Sequence, residues 1–382
     1  MPRDAGVIDL GDVVLLPGLI NAHTHLEFSD LREPLGQPGT PLPDWIRAVL
    51  AERKRANRDA PRAIEMGLQE SLQHGVTTVG EIATLSAASY LDTSPRPQLM
   101  AFHEAIGFSA LRTDSVLADV RRRLESAVEY DDGSLTMGLS PHAPYTVHPQ
   151  LLVRLVELAG AKRLPIAMHL AESPQELQLL DGGDGPFRVL LEERSMWDPS
   201  AIAAGARVLG YLQELSKAPR ALVIHGNYLS AEEIEFLAQR RDSLSVVYCP
   251  RTHKFFQHRP YPLQTLLSAG VRVALGTDSR ASNPDLSLLG EMRQVANVHR
   301  DVAPQEIVRM ATLAGAEALG LEAVVGSLTP GKRADFTTLR CDAAGSDPYE
   351  PIFVDHQPPV QTWLGGRSIG DSLGPTTAPA TL

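Results

Sequence analysis

Val13-Val14-Leu15-Leu16-Pro17-Gly18-Leu19-Ile20-Asn21-Ala22-His23-Thr24-His25-Leu26-Glu27 is an aliphatic run that ends in two histidines one residue apart. The apolar part reads as a strand buried on both faces, as in a parallel sheet. Side chains two apart on a strand point the same way, so His23 and His25 aim their imidazoles at one point just past its C-terminal end. Two neutral imidazoles at that spacing suit a divalent metal. Two unrelated histidines in a turn would show the same spacing, so the rest of the chain has to decide.

Working outward, a further strand is expected at Val7 to Leu10, and a Pro/Gly-rich loop from Arg32 to Pro43 is long enough to cover a site. Strand-like runs then recur at Val76 to Gly80, Leu99 to His103, Leu135 to Ser140, Ile166 to His169, Leu222 to His225, Leu244 to Tyr248 and Val271 to Gly276. Helical patterns alternate with them, among them Asp44 to Arg58, Pro61 to His74, Ser115 to Tyr130, Pro149 to Lys162, Ala201 to Leu215 and Pro304 to Leu319. Counted from Val13, eight strand–helix units in order predict an α/β fold, a closed (β/α)8 TIM barrel. A doubly wound open sheet competes, but it offers no reason for histidines at so many strand ends. After Leu319 the chain changes character. The stretch from Gly326 to Leu339 and the stretch from Val360 to Gly366 read as short strands and turns of a small β-structure. The expected organisation is a barrel over 14–320, a small β-domain from 1–13 and 321–370, and a disordered tail over 371–382.

Composition narrows the class. The chain has 382 residues, 43% of them hydrophobic and 21% charged, which is ordinary for a globular protein. Its 46 acidic against 35 basic residues give a net charge of −11 without a basic run, which argues against a nucleic-acid backbone as partner. Arg121-Arg122-Arg123 lies in an amphipathic helical pattern and reads as a solvated face. The two cysteines, Cys249 and Cys341, are too few for a disulfide framework or a thiolate zinc site. No apolar run reaches the ~18–20 residues of a membrane helix and no signal peptide is seen. A cytoplasmic protein acting on a small molecule is expected, with a homodimer as one possible assembly.

In a (β/α)8 barrel, chemistry sits at the C-terminal strand ends. There the chain places His23 and His25, then Ser140-Pro141-His142-Ala143-Pro144-Tyr145, His169-Leu170-Ala171-Glu172, Ile224-His225-Gly226-Asn227 and Leu275-Gly276-Thr277-Asp278-Ser279. Several buried imidazoles and a buried carboxylate are costly without a charge to pair with, and a metal ion supplies one.

Pro-Gly-x-x-Asn-x-His-x-His, then His-x-x-Glu, a lone His on the next strand and Gly-Thr-Asp-Ser together resemble the amidohydrolase superfamily, over roughly Val13 to Gly366. The mononuclear deaminase and chlorohydrolase branch is the most similar. Gly331-Lys332-Arg333-Ala334-Asp335 matches the small β-domain that closes that family, while its amino-terminal half is nearly absent here, so that part of the domain reads as truncated. Within the branch, the stretches Asn21 to Ser29 and Ser140 to Thr146 resemble aminodeoxyfutalosine and adenosyl-compound deaminases. The resemblance implies that His23, His25, His169 and Asp278 hold one divalent metal, Zn2+ first and Fe2+ as the other candidate. Three neutral imidazoles and one carboxylate leave a divalent ion with a net positive charge, enough to make a bound water a nucleophile near neutral pH. Leu135 to Ser140 contains no lysine, whereas the binuclear members bridge their metals with one, so a single metal is expected.

Glu172 follows His169 by three and is expected to act as proton shuttle; a carboxylate capping the helix that starts at Ser173-Pro174 is the rival reading. His225 is expected to hydrogen-bond the nucleophile or a developing oxyanion, and Asp278 to accept a proton while ligating. His142 is assigned to substrate positioning, against a turn role for Pro141-His142. His253, Arg251 and Trp45 complete the candidate substrate-binding set, with Glu104 and Glu27 as similar cases. In adenosyl-compound deaminases a Glu beyond the tryptophan binds the ribose diol; here Lys54 and Arg55 stand near that place, with Glu52 slightly early. The implied reaction is deamination of an aminated heterocycle, with aminodeoxyfutalosine as first substrate. Hydrolysis of an amide or C–Cl bond in the same site is the alternative, and a metal-binding barrel without turnover the rival from another class. The cytidine-type zinc deaminases need a Cys-x-x-Cys pair that this chain lacks.

Overall fold

The structure is a computed structural model that describes residues 7–56, 58–127, 133–202, 205–341, 347–354, 359 and 361–370. The tail over 371–382 and His356 lie outside the described residues. Twelve strands form two sheets among them: an antiparallel sheet of β1 (Val13–Pro17), β10 (Phe336–Arg340), β11 (Gln361–Leu364) and β12 (Arg367–Ser368), and an eight-stranded parallel sheet. The parallel sheet runs in chain order through β2 (Leu19–Thr24), β3 (Val76–Ala83), β4 (Gln98–Ala105), β5 (Leu135–Pro141), β6 (Ile166–Leu170), β7 (Ala221–His225), β8 (Leu244–Tyr248) and β9 (Val273–Leu275). Strands β2, β3, β6, β7, β8 and β9 are buried along their whole length, as a barrel wall covered by helices requires.

The first and last strands are joined by their ends. Thr24 bridges Asp278 in parallel, and the backbone N–H groups of Thr277 and Asp278 both donate to the His23 carbonyl, each at 3.1 Å. Asn21 stitches the same seam: its Oδ1 accepts from the Thr277 N–H at 3.1 Å and its Nδ2 donates to Thr277 Oγ1 at 2.7 Å. Gly276 leaves room for that seam, because a Cβ there would sit 2.9 Å from the Cβ of His23. The barrel is nearly closed.

Three expectations are corrected. The opening aliphatic run is two strands, not one: Val13–Pro17 pairs with β10 in the small sheet, and only Leu19–Thr24 enters the barrel. Pro17-Gly18 makes the crossing. Proline has no N–H for a ladder, and a Cβ on Gly18 would lie 2.1 Å from Thr77 Oγ1 on the next barrel strand. Second, Val7 to Leu10 forms no strand; Val7 is 85% exposed and has no sheet neighbour to pair with. Third, Pro304 to Leu319 is two helices, Pro304–Met310 and Leu313–Leu319, while Ala201 to Leu215 is helical only over Val208–Leu215. After β6 the helix expected to start at Ser173-Pro174 runs over Pro174–Gly182, and a second short helix, Pro186–Glu193, which was not read from the sequence, forms part of a cavity wall.

Candidate active site

At the C-terminal mouth of the barrel four imidazoles face one another. Ring centroids of His23 lie 4.9 Å from His25, 5.0 Å from His169 and 5.6 Å from His225. Asp278 Oδ1 completes the group, 3.6 Å from His23 Nε2 and 3.7 Å from His25 Nε2. The cluster has the chemistry of a metal site. Both ring nitrogens of His23 are buried without a hydrogen-bond partner among the described residues. His169 Nδ1 lies 2.9 Å from the His142 carbonyl oxygen and donates to it, which leaves the Nε2 lone pair facing His25 Nε2 at 3.3 Å. Burial pushes the pKa values of His25, His169 and His225 well below the ordinary histidine value, so these rings are neutral donors of electron pairs. Burial works to raise Asp278, but the surrounding histidines outweigh it and hold the carboxyl well below the usual carboxylate range. Lone pairs packed this closely repel one another unless a cation sits among them. Donor atoms of His23, His25 and Asp278 lie within 4.8 Å of one another, as do those of His23, His169 and His225.

The backbone is bent to make this cluster. Ala171, His225 and Asp278, each at or just past a strand end, have φ values of 54°, 69° and 56°. That left-handed region costs a non-glycine residue roughly 1–2 kcal/mol, and such strain concentrates at functional sites. It turns the chain sharply, so that the His225 and Asp278 side chains face the barrel axis. Partners hold the turns. Glu176 accepts hydrogen bonds from the N–H groups of Ala171 and Glu172, both at 2.8 Å. Glu81 accepts from the Leu26 N–H just past His25. Ser282 Oγ donates to Asp278 Oδ2 at 2.8 Å, and Thr252 Oγ1 lies 2.9 Å from Ser282.

Glu172 is buried beside the cluster, its Oε1 3.4 Å from His225 Nε2 and its Oε2 accepting from the Tyr145 hydroxyl at 3.3 Å. Burial, then Asp278 and Glu176, push its pKa well above the ordinary carboxyl value. It does not cap the following helix: Ser173 does, accepting from the Glu176 N–H.

A cavity opens over the cluster. His25, His142, His169, Glu172, His225 and Asp278 form its floor, and Phe28, Trp45, Tyr145 and Phe187 are prominent in its walls, with Arg53 and Glu104 at one side. Trp45 comes from the helix Leu42–Arg53 and donates its Nε1–H to the Ala281 carbonyl at 3.1 Å. Arg251 and His253 do not reach this cavity. Both sit on the short helix Pro250–Phe255, whose turn directs Thr252 toward the site and its neighbours away. Arg251 is bound to Glu291 at 2.7 Å and Asp285 at 2.6 Å, while His253 packs against Tyr248 and Tyr261. Neither is placed to bind substrate there. Glu27 is likewise buried behind the wall, paired with Arg53 and Arg58. Lys54, Arg55 and Glu52 stay outside; it is Arg53 that lines the cavity. Arg53 and Tyr145 were missed because their partners, Glu27 and Glu172, are distant in sequence, and Glu176 and Ser282 because each reaches back across a turn to a strand end. Only Tyr145 carried a signal, sitting three residues past His142.

Barrel and site together define a hydrolase acting on carbon–nitrogen bonds, with a histidine-rich centre that fits a divalent metal. The chain belongs to the amidohydrolase family, whose model matches residues 14–369. It is 30% identical over 350 residues to a 5-methylthioadenosine/S-adenosylhomocysteine deaminase of Moorella thermoacetica, covering 86% of this chain and 74% of that one. Among solved structures, the Helicobacter pylori aminofutalosine deaminase in complex with methylthio-coformycin superposes with a TM-score of 0.81 at 24% identity, covering 94% of this chain and 87% of that one. An adenosine deaminase from Xanthomonas campestris with bound zinc gives a TM-score of 0.71 at 26% identity over 94% of this chain and 80% of that one. No described helix is long and apolar enough to cross a membrane.

Proposed function

We propose that this protein deaminates an adenine-type ring carried on a nucleoside-like substrate, replacing the ring amino group with oxygen from water and releasing ammonia. The observation that carries the reading is the pair of donor triads that share His23, one with His25 and Asp278 and one with His169 and His225, linked by His25 and His169 at 3.3 Å, with Glu172 buried beside them at the floor of a cavity with aromatic walls. The names of the curated relatives support the adenine-type ring. His23, His25, His169 and Asp278 would hold the ion, and zinc is the metal we assign, in keeping with the Xanthomonas campestris structure. A divalent ion at such ligands lowers the pKa of water and supplies a nucleophile near neutral pH.

The chain's own residues supply the rest. Glu172, kept protonatable by its burial, takes a proton from the attacking water, passes it to the ring nitrogen beside the reacting carbon, and delivers the next proton to the departing amine. His225, 3.4 Å from Glu172, steadies the nucleophile by a hydrogen bond. Asp278, fixed by Ser282, takes the second proton of the water, and this is the proton that the departing amine then receives. Phe28, Trp45, Tyr145 and Phe187 offer flat apolar surface to a heterocycle and exclude bulk water. His142 positions the ring from the side.

Glu172→Gln and His169→Ala separate these roles. Glu172→Gln is expected to keep its zinc and lose at least about 100-fold in kcat. His169→Ala is expected to lose both zinc and turnover. Zinc content by elemental analysis with ammonia release measures both, and full activity in Glu172→Gln would remove it as the shuttle.

A further inference from the structure

Glu104, near the end of β4, lines the same cavity and makes no hydrogen bond to the other described residues. Its side chain is only 8% exposed, yet the nearest polar atoms, His142 Nε2 at 3.9 Å and Arg53 Nη2 at 4.0 Å, lie beyond hydrogen-bond reach. A buried carboxyl group left without a partner is costly, so whatever fills the cavity has to satisfy it. We propose that Glu104 is a specificity-determining residue which, together with His142, accepts hydrogen bonds from a hydroxyl or ring N–H on the side of the substrate away from the departing amine.

The hydrogen-bond directions require a donor. The Thr146 hydroxyl donates to the Ala143 carbonyl at 3.2 Å, so it accepts from His142 Nδ1–H at 2.7 Å. That leaves His142 Nε2 with its lone pair toward Glu104. Two acceptors that face one another across 3.9 Å are complementary to one donor between them or to a donor for each. Arg53 cannot serve: the same Nη2 that approaches Glu104 is bonded to Glu27 Oε1 at 2.6 Å. Its charge favours the ionised acceptor, against burial that pushes Glu104 up to about 7.

Position selects the part of the substrate that is read. The His142 ring lies 4.9 Å from that of His169, tilted by 46°, while its Nε2 lies 3.9 Å from Glu104, so His142 adjoins both the cluster and Glu104. A ring whose amino-bearing carbon sits at the cluster therefore presents its opposite edge, or the sugar attached there, to Glu104. This inference rests on the deaminase reading above.

The test compares kcat/KM in two matched pairs, adenosine with 2′,3′-dideoxyadenosine for hydroxyl donors and adenine with 9-methyladenine for the ring N–H. Zinc-loaded wild type, Glu104→Gln and Glu104→Leu are measured side by side. In wild type at least one pair is expected to favour the donor-bearing member by about 10-fold or more, because a site built around a hydrogen bond rejects the analogue that lacks it. In Glu104→Leu that preference should collapse to within about twofold, chiefly through KM of the donor-bearing member, while Glu104→Gln, which keeps an acceptor oxygen, stays between. Ratios unchanged by either substitution, with both members falling together, would overturn the inference. If wild type releases no ammonia from any of the four, the same ratios are taken from calorimetric Kd values, and the deaminase reading is tested separately with 5′-methylthioadenosine and S-adenosylhomocysteine. A Glu104-dependent difference in Kd still supports the donor site; equal affinities, or no binding, reject it.

Discussion

Tyr145 shows how a single side chain sets the chemistry of another. Its hydroxyl donates to Glu172 Oε2, and this bond favours the ionised carboxylate against the burial that pushes Glu172 up. Tyr145→Phe removes the bond and lets the Glu172 pKa climb further. A general base with a higher pKa is ionised only at higher pH, so the acidic limb of the kcat/KM profile is expected to move upward. At neutral pH the rate should fall about 3- to 10-fold. A pH–rate profile of the zinc-loaded variant checks both, and an unmoved acidic limb would mean that it reports another group. At this scale the sequence was read well where a strand end dictated direction, at His23, His169, His225 and Asp278. It was read poorly where a helix turn did. Arg251 follows β8 as closely as Asp278 follows β9, with His253 two residues further on, but on a helix neighbouring residues point about 100° apart, and the site-facing position falls on Thr252.

Among the elements, the turn after β6 depends most on one carboxylate that reaches back to it. Glu176, from the first turn of the helix Pro174–Gly182, accepts the N–H groups of Ala171 and Glu172 and so fixes the strained segment between His169 and Glu172. Burial raises its pKa from 4.5 to about 7. Between those values the folded protein keeps a proton that the unfolded chain has released. The stability this contributes is complete below the unfolded value and is lost as pH rises through about 7. Glu176→Gln removes the titration and turns an amide N–H toward a backbone N–H, at a cost of about 1–3 kcal/mol. Urea unfolding of both proteins is expected to show the deficit of the variant largest near roughly pH 5 and smaller near roughly pH 8. A deficit independent of pH would place the Glu176 proton elsewhere. The same turn explains a gap in the sequence reading. Ser173-Pro174 announced a helix start, but nothing local said that Glu176 would reach back to the strand end.

For the whole molecule, alternating apolar runs made the barrel legible, because a buried parallel strand has few other ways to look. The division of the opening run at Pro17-Gly18 was not legible, since both halves are equally aliphatic and only Thr77, about sixty residues away, forbids a side chain at the crossing. The cluster of histidines and Asp278 was legible as a set of strand ends, because barrel topology brings those ends together whatever the loops do. Arg53 and much of the cavity wall belong to loops and helices whose approach is set by packing across the mouth.

The most direct measurement of the central claim is ammonia release by zinc-loaded protein from 5′-methylthioadenosine, S-adenosylhomocysteine, adenosine and aminodeoxyfutalosine, repeated after chelation and after zinc is restored. Release from at least one of them, lost with the chelator and recovered with zinc, is the expected result. Stoichiometric zinc with no ammonia from any of the four would contradict it.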